Sequence, residues 1–304
     1  MKSIIYSSLC AFIAMGLAGA QPAMAQATAD EKLLLAAQSG DFEEAKKLVE
    51  AGASLKVKDH NGATPLHMAS AAGQIGIAHL LISKGADVNA LDNSDSTPLI
   101  AAVYNGHLYV TRLLVSNGAD VNARAKSGMT PLMVAAHAGK GDIFAYLAEK
   151  GAKRNQTQED KNLLLIAAVA GRMSDIFDQQ IEAGADVNSK DRQGLSALMV
   201  AASWGRVDAI EKLLTKKADI NIRDGKGRTP LMLAALADRA DAAKTLTEKG
   251  ADIFLKDNES YTATDYALAS ESLEITMILA NLGAKPNPKS VERLKKSKDR
   301  PKGE

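Results

Sequence analysis

The sequence predicts an all-α fold built as a repeat solenoid, in which short pairs of helices stack in a row. Aromatic residues make up only 4% of the chain although 46% of it is hydrophobic, so its apolar residues suit thin, closely packed helices. One pattern also returns at a step of about 33 residues, which is typical of stacked supersecondary units rather than one large core. The copies read ATPLHMASAAG (63–73), STPLIAAVYNG (96–106), MTPLMVAAHAG (129–139), LSALMVAASWG (195–205) and RTPLMLAALAD (228–238).

Each copy of the pattern carries the start and stop signals of one helix. Thr64 provides a hydroxyl that can cap the helix, and Pro65 fits the first helical position because its missing N–H has no partner to lose there. Gly73 favours the left-handed conformation that ends a helix. A second helix follows, with apolar residues at spacings of three and four, and ends at Gly85. The next segment contains turn-forming residues such as Asp92, so it reverses the chain as an extended finger.

The copies begin at regular positions and form about eight units, including the two ends. Their starts are Glu31, Thr64, Thr97, Thr130, Asn162, Ser196, Thr229 and Thr262. The first unit has Glu31-Lys32 in place of Thr-Pro, and the last has Asp265 and Glu271 where inner units are apolar or Gly. Because the ends of a repeat array face solvent, we expect both to be caps with a solvated outer face.

With these residues and spacings the chain resembles the ankyrin-repeat family over about residues 27–284. The resemblance implies units of helix-turn-helix plus a β-hairpin finger, stacked as a solenoid. It also implies a module that binds other proteins, since partners of ankyrin repeats usually dock on a concave face formed by the first helices and the finger tips. His67 and His107 stand where the family often has His, so we expect both to be structural.

The fifth unit, KNLLLIAAVAG (161–171), departs from the pattern. Asn162-Leu163 replaces Thr-Pro, the finger before it is one residue shorter, and the segment from Gly171 to Gly184 is one residue longer. One interpretation is a drifted repeat with a local bulge in its second helix. The other is a bend or a groove in the middle of the solenoid, and the sequence leaves both open.

Residues 1–25 have the pattern of a secretory signal peptide. Lys2 gives a positive start, an apolar stretch follows, and Ala23-Met24-Ala25 fits a cleavage signal, so we expect cleavage after Ala25. Cys10, the only cysteine, lies in this leader, so the mature chain would have no disulfide and no thiol chemistry. We predict a bacterial protein of the periplasm with no integral membrane segment after cleavage.

Residues 285–304 form a basic tail with eight Lys or Arg against three acids. The whole chain carries +1 and Lys2 leaves with the leader, so the repeats between leader and tail carry about −5. A Lys-rich segment interrupted by prolines predicts a solvated, disordered end. The alternative is electrostatic tethering to anionic wall polymer, lipid headgroups or an acidic partner.

No group of residues in the sequence has the pattern of a catalytic, metal or cofactor site. Histidines stand at positions 60, 67, 79, 107 and 137, and no two lie four apart on one helix beside a carboxylate. Phosphate-binding glycine loops and nucleophile motifs are missing as well. The net charge gives no reason to expect nucleic acid. We therefore predict a protein that is not an enzyme and has no cofactor.

The best candidates for a binding site are the two positions before each helix-ending glycine, on the concave face that the resemblance implies. These positions are small or polar at the ends of the array and larger in its middle. The middle residues are Tyr104, His137, Val169, Trp204 and Leu236. Trp204 is the only Trp, and Trp is enriched among the residues that dominate interfaces. The alternative is a half-buried ring that covers neighbouring alanines.

The fingers around this stretch carry a series of basic residues. They are Arg124, Lys126, Lys190, Arg192, Arg223, Lys226, Arg228 and Lys256. They are either a solvated rim or, with the mildly apolar face, part of an interface with an apolar centre and a basic rim. A matching partner would present acidic residues around a protruding edge, and these charges would mainly affect the association rate.

The sequence thus predicts a periplasmic module that binds another folded protein and is a monomer when free. We expect it to inhibit or protect a periplasmic enzyme, such as a cell-wall hydrolase or a stress enzyme. The alternative is a scaffold tethered to the cell wall or membrane through the basic tail.

Overall fold

A computed structural model describes residues 28–154, 156–285, 287 and 292. They fall into two compact units that divide between Lys153 and Arg154. The predicted leader (1–25) and nearly all of the predicted tail (285–304) lie outside the described residues. The helices of the first unit are α1 (Ala29–Ser39), α2 (Phe42–Glu50), α3 (Pro65–Ala71), α4 (Ile75–Ser83), α5 (Pro98–Asn105), α6 (Leu108–Ser116), α7 (Pro131–His137) and α8 (Gly141–Glu149). Those of the second unit are α9 (Gln158–Gly171), α10 (Ser174–Glu182), α11 (Ala197–Trp204), α12 (Val207–Thr215), α13 (Pro230–Leu236), α14 (Ala240–Glu248), α15 (Ala263–Ala269) and α16 (Leu273–Asn281).

Eight helix pairs in the described residues confirm the predicted number of repeats. In each pair an inner helix with an odd label is followed by an outer helix with an even label. Thr64 caps α3 by accepting a hydrogen bond from the N–H of His67, and Pro65 is its first residue, as the sequence predicts. Within each unit every inner helix packs against the next inner helix of that unit. The described residues therefore form an all-helical repeat solenoid.

The core consists of columns of identical residues that recur every 33 positions. Alanines fill one column of the inner helices, and small side chains there let neighbouring helices approach closely. These buried alanines are Ala36, Ala69, Ala102, Ala135, Ala168, Ala201, Ala234 and Ala267. A column of the outer helices holds Leu48, Leu81, Leu114, Leu147, Leu213, Leu246 and Leu279, all buried. Its fifth position is Gln180, which is only 1% exposed.

The fifth repeat keeps the 33-residue step, so the one-residue shift in its sequence-based alignment is wrong, whereas the bend or groove stays a prediction. Arg172, and not Gly171, takes the left-handed conformation that ends the inner helix (φ 58°). Leu163 therefore occupies the position of Thr130 and Ser196 in the repeats on either side. The predicted bulge in the second helix is wrong, since α10 has nine residues like the other outer helices.

The finger before the fifth repeat is replaced by helix. Thr157 caps α9, which extends over 14 residues because it starts well before the position equivalent to Thr130. The Thr157 hydroxyl accepts from the N–H of Asp160 (3.1 Å), and the Asp160 carboxylate accepts from the N–H of Thr157 (3.1 Å). This reciprocal pair is a capping box that satisfies two N–H groups at the helix start.

The last repeat differs from the polar cap that the sequence predicts. Asp265 is only 1% exposed, and its carboxylate accepts hydrogen bonds from the N–H groups of Thr262 and Asn287 (2.9 Å each). The outer helix α16 exposes Leu273 (76%) and Met277 (60%) beside the exposed Glu274. The prediction of a solvated polar surface is therefore wrong for Asp265, which is a buried anchor for the chain that follows the repeats.

The fingers are turns held by aspartate side chains. Asp92 accepts the N–H groups of Ser94 (2.7 Å) and Ser96 (2.8 Å), and Asp59, Asp191, Asp224 and Asp257 repeat this arrangement. Within the described residues the fingers contain no regular strand, and an isolated antiparallel bridge joins Lys190 to Ser196.

Candidate protein-binding surface

Four of the five residues predicted to lie on the binding face stand at the ends of inner helices. In the first unit Tyr104 is the last residue but one of α5 and His137 is the last residue of α7, and both are half-buried. Trp204 and Leu236 end α11 and α13 in the second unit. Trp204 is the most accessible of the four, with 43% of its surface exposed. Each unit thus presents large side chains at the end of two successive inner helices.

Val169 does not belong to this face, and its assignment is wrong. It is only 3% exposed, because the register of the fifth repeat places it in line with the buried Val103 and Ala202. The residue that matches Tyr104 and His137 is Ala170, which is also buried. The fifth repeat therefore contributes small side chains to the face.

Two histidines of the first unit, His137 and His67, have a lowered pKa. Burial lowers the pKa of His137 to about 4. Burial also lowers the pKa of His67, although the nearby carbonyl of Ser96 acts in the opposite direction. The Nδ1 of His67 lies 2.9 Å from the Thr64 hydroxyl and its Nε2 lies 3.0 Å from the Ser96 carbonyl, so this ring joins two repeats. These bonds agree with the structural role expected for His67.

Several of the predicted rim arginines are engaged with the protein itself. Arg228 pairs with the buried Asp224 at 2.6 Å. Arg223 donates from Nε to the Gly227 carbonyl (3.1 Å) and from a terminal nitrogen to the carbonyl of Lys256 in the next finger. Arg228 and Arg223 therefore hold the fingers together, which the sequence-based interpretation of a binding rim missed.

The other predicted rim residues divide between engaged and exposed side chains. Arg124 donates to the Gly128 carbonyl (3.0 Å), Lys126 to the Asn93 carbonyl (2.7 Å), and Arg192 lies 3.6 Å from Glu159. By contrast, the side chains of Lys190, Lys226 and Lys256 are exposed on three successive fingers of the second unit. Any basic rim of that unit consists mainly of these three lysines and of Arg192, whose side chain is 52% exposed.

The recurring GADVN segments also have a structural role. The Asn89 side chain accepts from the N–H of Asp120 in the next repeat (2.8 Å) and donates to the Gly118 carbonyl (3.1 Å). The acceptor contact recurs at Asn122, Asn188 and Asn221. Each asparagine therefore connects the end of one outer helix to the next.

Basic residues at the turns between inner and outer helices are a feature that the sequence analysis did not identify. The Nε2 of His107 lies 3.0 Å from the Ala71 carbonyl, one repeat back. Arg206 and Arg239 occupy the same position and donate to the carbonyls of Ala170 and Ser203 (3.3 Å each). Arg206 also lies 5.6 Å from the centre of the Trp204 ring. The recurrence of basic residues 33 positions apart was the signal in the sequence.

A groove of about 590 Å³ lies on the outer helices α6 and α8 of the first unit. Arg112 and Lys150 lie over the Tyr146 ring, at 5.1 and 5.6 Å from its centre, and Tyr109 beside them is 74% exposed. This groove is on the outer helices and shares no residue with the predicted face.

Other kinds of site were also searched for in the described part of the chain. No group of three His, Cys, Asp or Glu in it could hold a metal ion. None of its helices combines the length and apolar character needed to cross a bilayer.

Comparison with known families gives one result that covers the repeats. The model described as "Ankyrin repeats (3 copies)" matches residues 33–125, 92–158, 122–191, 164–257 and 198–290 in overlapping stretches. No significant match was found among curated proteins. The matched stretches together span residues 33–290, which include all the helices described above except the first four residues of α1.

Proposed function

The chain belongs to the ankyrin-repeat family, and we propose that it binds another folded protein in the bacterial periplasm and inhibits or protects it. Ankyrin repeats are protein–protein interaction modules. The location rests on the signal-peptide pattern of residues 1–25 and on a mature sequence without cysteine. The proposed partner is a periplasmic enzyme such as a cell-wall hydrolase or a stress enzyme. The chain itself supplies a surface and no chemistry, and it is a monomer when free.

The observation that carries this proposal is the exposure of Trp204. The other residues of α11 are buried, whereas 43% of this large ring faces solvent. Leaving an aromatic ring in water gives up the free energy of burying it, and a partner that covers Trp204 recovers it. Leu236 on the next inner helix enlarges the apolar area that such a partner would cover.

The test is capture of the partner with the chain from residue 26 onward, followed by comparison of two aromatic variants. We expect Trp204→Ala to weaken binding of the captured protein at least tenfold, as for a residue that dominates an interface. Tyr109→Ala is the matched control, because it removes an exposed ring from an outer helix. Equal binding by both variants and the wild type would show that the assignment of the face is wrong.

Inhibition and protection are separated by assays on the captured enzyme. An inhibited enzyme loses activity when the chain is added in stoichiometric amount, and a protected enzyme keeps activity for longer on heating. An enzyme that shows neither effect would rule out this part of the proposal.

A second candidate function, a tethered scaffold, is favoured by the charge of residues 285–304. Eight basic residues against three acids give this tail an attraction to anionic surfaces that the negative repeats lack. Truncation after Ala284 separates the two functions. A scaffold would lose its binding to vesicles of anionic lipid or to isolated cell wall, whereas an inhibitor would keep its affinity for the enzyme.

A further inference from the structure

Three arginines surround the face of the second unit at successive turns between inner and outer helices. Arg172 ends α9 in the left-handed conformation, Arg206 precedes α12, and Arg239 precedes α14. They come from three consecutive repeats, so one edge of the stack brings them together next to Trp204. We call these four residues the Trp204–arginine cluster.

Two of these arginines are held in place by the backbone. Arg206 donates through Nη2 to the Ala170 carbonyl, and Arg239 donates through Nε to the Ser203 carbonyl, both at 3.3 Å. These carbonyls lie in the last turn of the preceding inner helices, where the helix dipole favours a positive charge. A guanidinium has five N–H donors, so one such bond orients the group and leaves donors for a ligand.

The charges of the cluster repel each other. Burial is the main cause that lowers the pKa of Arg206, and the charges of Arg172 and Arg239 lower it further, while Asp208 acts in the opposite direction. The Nε of Arg206 is buried and has no hydrogen-bond partner among the described residues. The ion pairs found in the described part of the second unit join Arg192, Lys212 and Arg228 to acids and include none of the three. A carboxylate placed among these arginines would relieve the repulsion.

The aromatic member of the cluster adds an apolar surface. The Trp204 ring is 43% exposed, and the Arg206 guanidinium lies 5.6 Å from its centre. Tryptophan and arginine are the residue types most enriched where interfaces gain their affinity. Carboxylates and an apolar side chain on the partner would match this arrangement.

Aspartates in the same turns as the arginines determine which kind of anionic ligand the cluster can bind. Asp175, Asp208 and Asp241 each follow one of the arginines within three residues, and Asp238 precedes Arg239. A nucleic-acid backbone, with a charge at every phosphate, would be repelled by these interleaved carboxylates. A single carboxylate has two oxygens that match the guanidinium in a bidentate pair and can lie between the acids. The arrangement therefore favours an acidic protein segment.

We propose that the Trp204–arginine cluster is the docking site for an acidic segment of the partner protein. An apolar side chain of that segment stacks on Trp204, and flanking Asp or Glu carboxylates bind Arg206 with Arg172 and Arg239. This proposal rests on the proposed function, because it names the chemistry of the partner at the same face.

The experiment uses Trp204 as its own reporter, since it is the only tryptophan in the chain. The probe is a synthetic peptide of about a dozen residues in which leucines are flanked by glutamates. Two peptides of the same length replace every glutamate by glutamine or by lysine. We expect the glutamate peptide alone to change Trp204 emission, with a dissociation constant that rises at least fivefold between low and high salt.

Arginine variants test the assignment of the site. Arg172→Gln and Arg239→Gln should each weaken binding of the glutamate peptide about fivefold or more. Arg112→Gln is the matched control, because it makes the same change of charge on an outer helix of the first unit and should leave binding unchanged. Circular dichroism and thermal unfolding establish that each variant is folded.

Any of three results would overturn the proposal. These are no binding of the glutamate peptide, equal binding of the lysine peptide, or tighter binding of a single-stranded oligonucleotide. Failure of the proposed function gives a different result, in which the wild-type chain captures no periplasmic protein at all. If the partner is captured but Arg172→Gln and Arg239→Gln bind it like the wild type, the function stands and the acidic docking site is wrong.

Discussion

The first and the fifth repeats begin the two compact units, and both start with an inner helix that is longer than those of the other repeats. Helix α1 has 11 residues and α9 has 14, against seven or eight in the other inner helices. Thr28 with Glu31 forms a capping box on α1, as Thr157 with Asp160 does on α9. The fifth repeat is therefore built like the start of an array, not like a degraded inner repeat.

The two starting helices also replace the missing finger in the same way. Asp30 in α1 accepts from the N–H of Ser54 (2.7 Å), and Asn162 in α9 accepts from the N–H of Asp186 (2.8 Å), both 24 residues along the chain. In four other repeats the equivalent N–H is bound by a finger asparagine 31 residues back, such as Asn89. Each lengthened helix thus supplies the acceptor that a preceding finger would supply.

The two starting repeats differ in the leucine column of their outer helices. The first repeat has Leu48 there, whereas the fifth has Gln180, whose Oε1 is buried and has no hydrogen-bond partner in the described part of the chain. An unsatisfied buried acceptor costs about 1–3 kcal/mol. The fifth repeat therefore keeps the architecture of the first at its helix start. It loses local stability at the position where Gln180 replaces leucine in the column.

The largest effect is expected from copying this defect into the first unit. Leu114→Gln places an amide in the fully buried leucine column, and we expect it to lower the free energy of unfolding by about 3 kcal/mol through lost packing and an unpaired polar group. Urea unfolding, monitored by hydrogen exchange of the amides in α6, measures this change in unfolding free energy. Leu114→Met, which conserves volume, should cost less than about 1.5 kcal/mol. Equal losses for the two variants would show that the column tolerates a polar group.

Acid should distinguish the two units, because all five histidines lie in the first. His137 is neutral in the folded chain down to a pKa of about 4, whereas its unfolded pKa is 6.5. Below pH 6.5 the unfolded chain binds a proton that the folded chain does not, so stability falls until about pH 4 and then levels off. Because the His137 ring is partly exposed, solvent screening reduces the expected loss of unfolding free energy to about 2 kcal/mol.

The measurement is the pH dependence of hydrogen exchange in α7, compared with α13 in the second unit. His137→Gln should flatten the dependence of α7 between pH 6.5 and pH 4 and leave α13 unchanged. A slope that survives in this variant would assign the effect to carboxylates and remove His137 as its cause.

Much of the fold could be predicted because capping and turn signals are local. Thr-Pro at a helix start and glycine at its end act within one turn, so the number of helix pairs followed directly from spacing. The fifth repeat was misaligned because Gly171 was taken for the left-handed residue, and Arg172 holds that conformation instead. Val169 was assigned to the surface for the same reason, since a shift of one residue moves a helix position by about 100°.

The binding surface could be predicted only in part, because its residues depend on contacts between repeats. The exposure of Trp204 agrees with its position near a helix end. Spacing alone cannot show that Arg223 binds a carbonyl 33 residues away or that Arg228 pairs with Asp224. The arginines at the turns between inner and outer helices were also missed by the sequence analysis. No local rule connects Arg172, Arg206 and Arg239, because they belong to separate repeats.

Repairing the defect of the second unit should have a smaller effect. Gln180→Leu restores the column and removes the unpaired Oε1, so we expect the unfolding free energy to rise by about 1–2 kcal/mol. Gln179→Leu is the matched control, because this neighbouring glutamine is exposed and its replacement should give no gain. The midpoint of urea unfolding reports both. A loss of stability in Gln180→Leu would show that the unpaired amide does not weaken this column.

The smallest effects are expected at the two capping boxes, and they bear directly on the similarity of the two starts. Thr28→Val and Thr157→Val each remove the hydroxyl that accepts an N–H, which costs about 1 kcal/mol. The loss should be larger at Thr157, because its partner Asp160 is only 3% exposed whereas Thr28 and Glu31 lie at the surface. Thr157→Ser keeps the hydroxyl and should recover most of the stability. Hydrogen exchange of the first turns of α1 and α9 measures both losses separately. If the Thr157→Val loss is absent while the Thr28→Val loss is present, the fifth repeat does not begin its unit in the way that the first does.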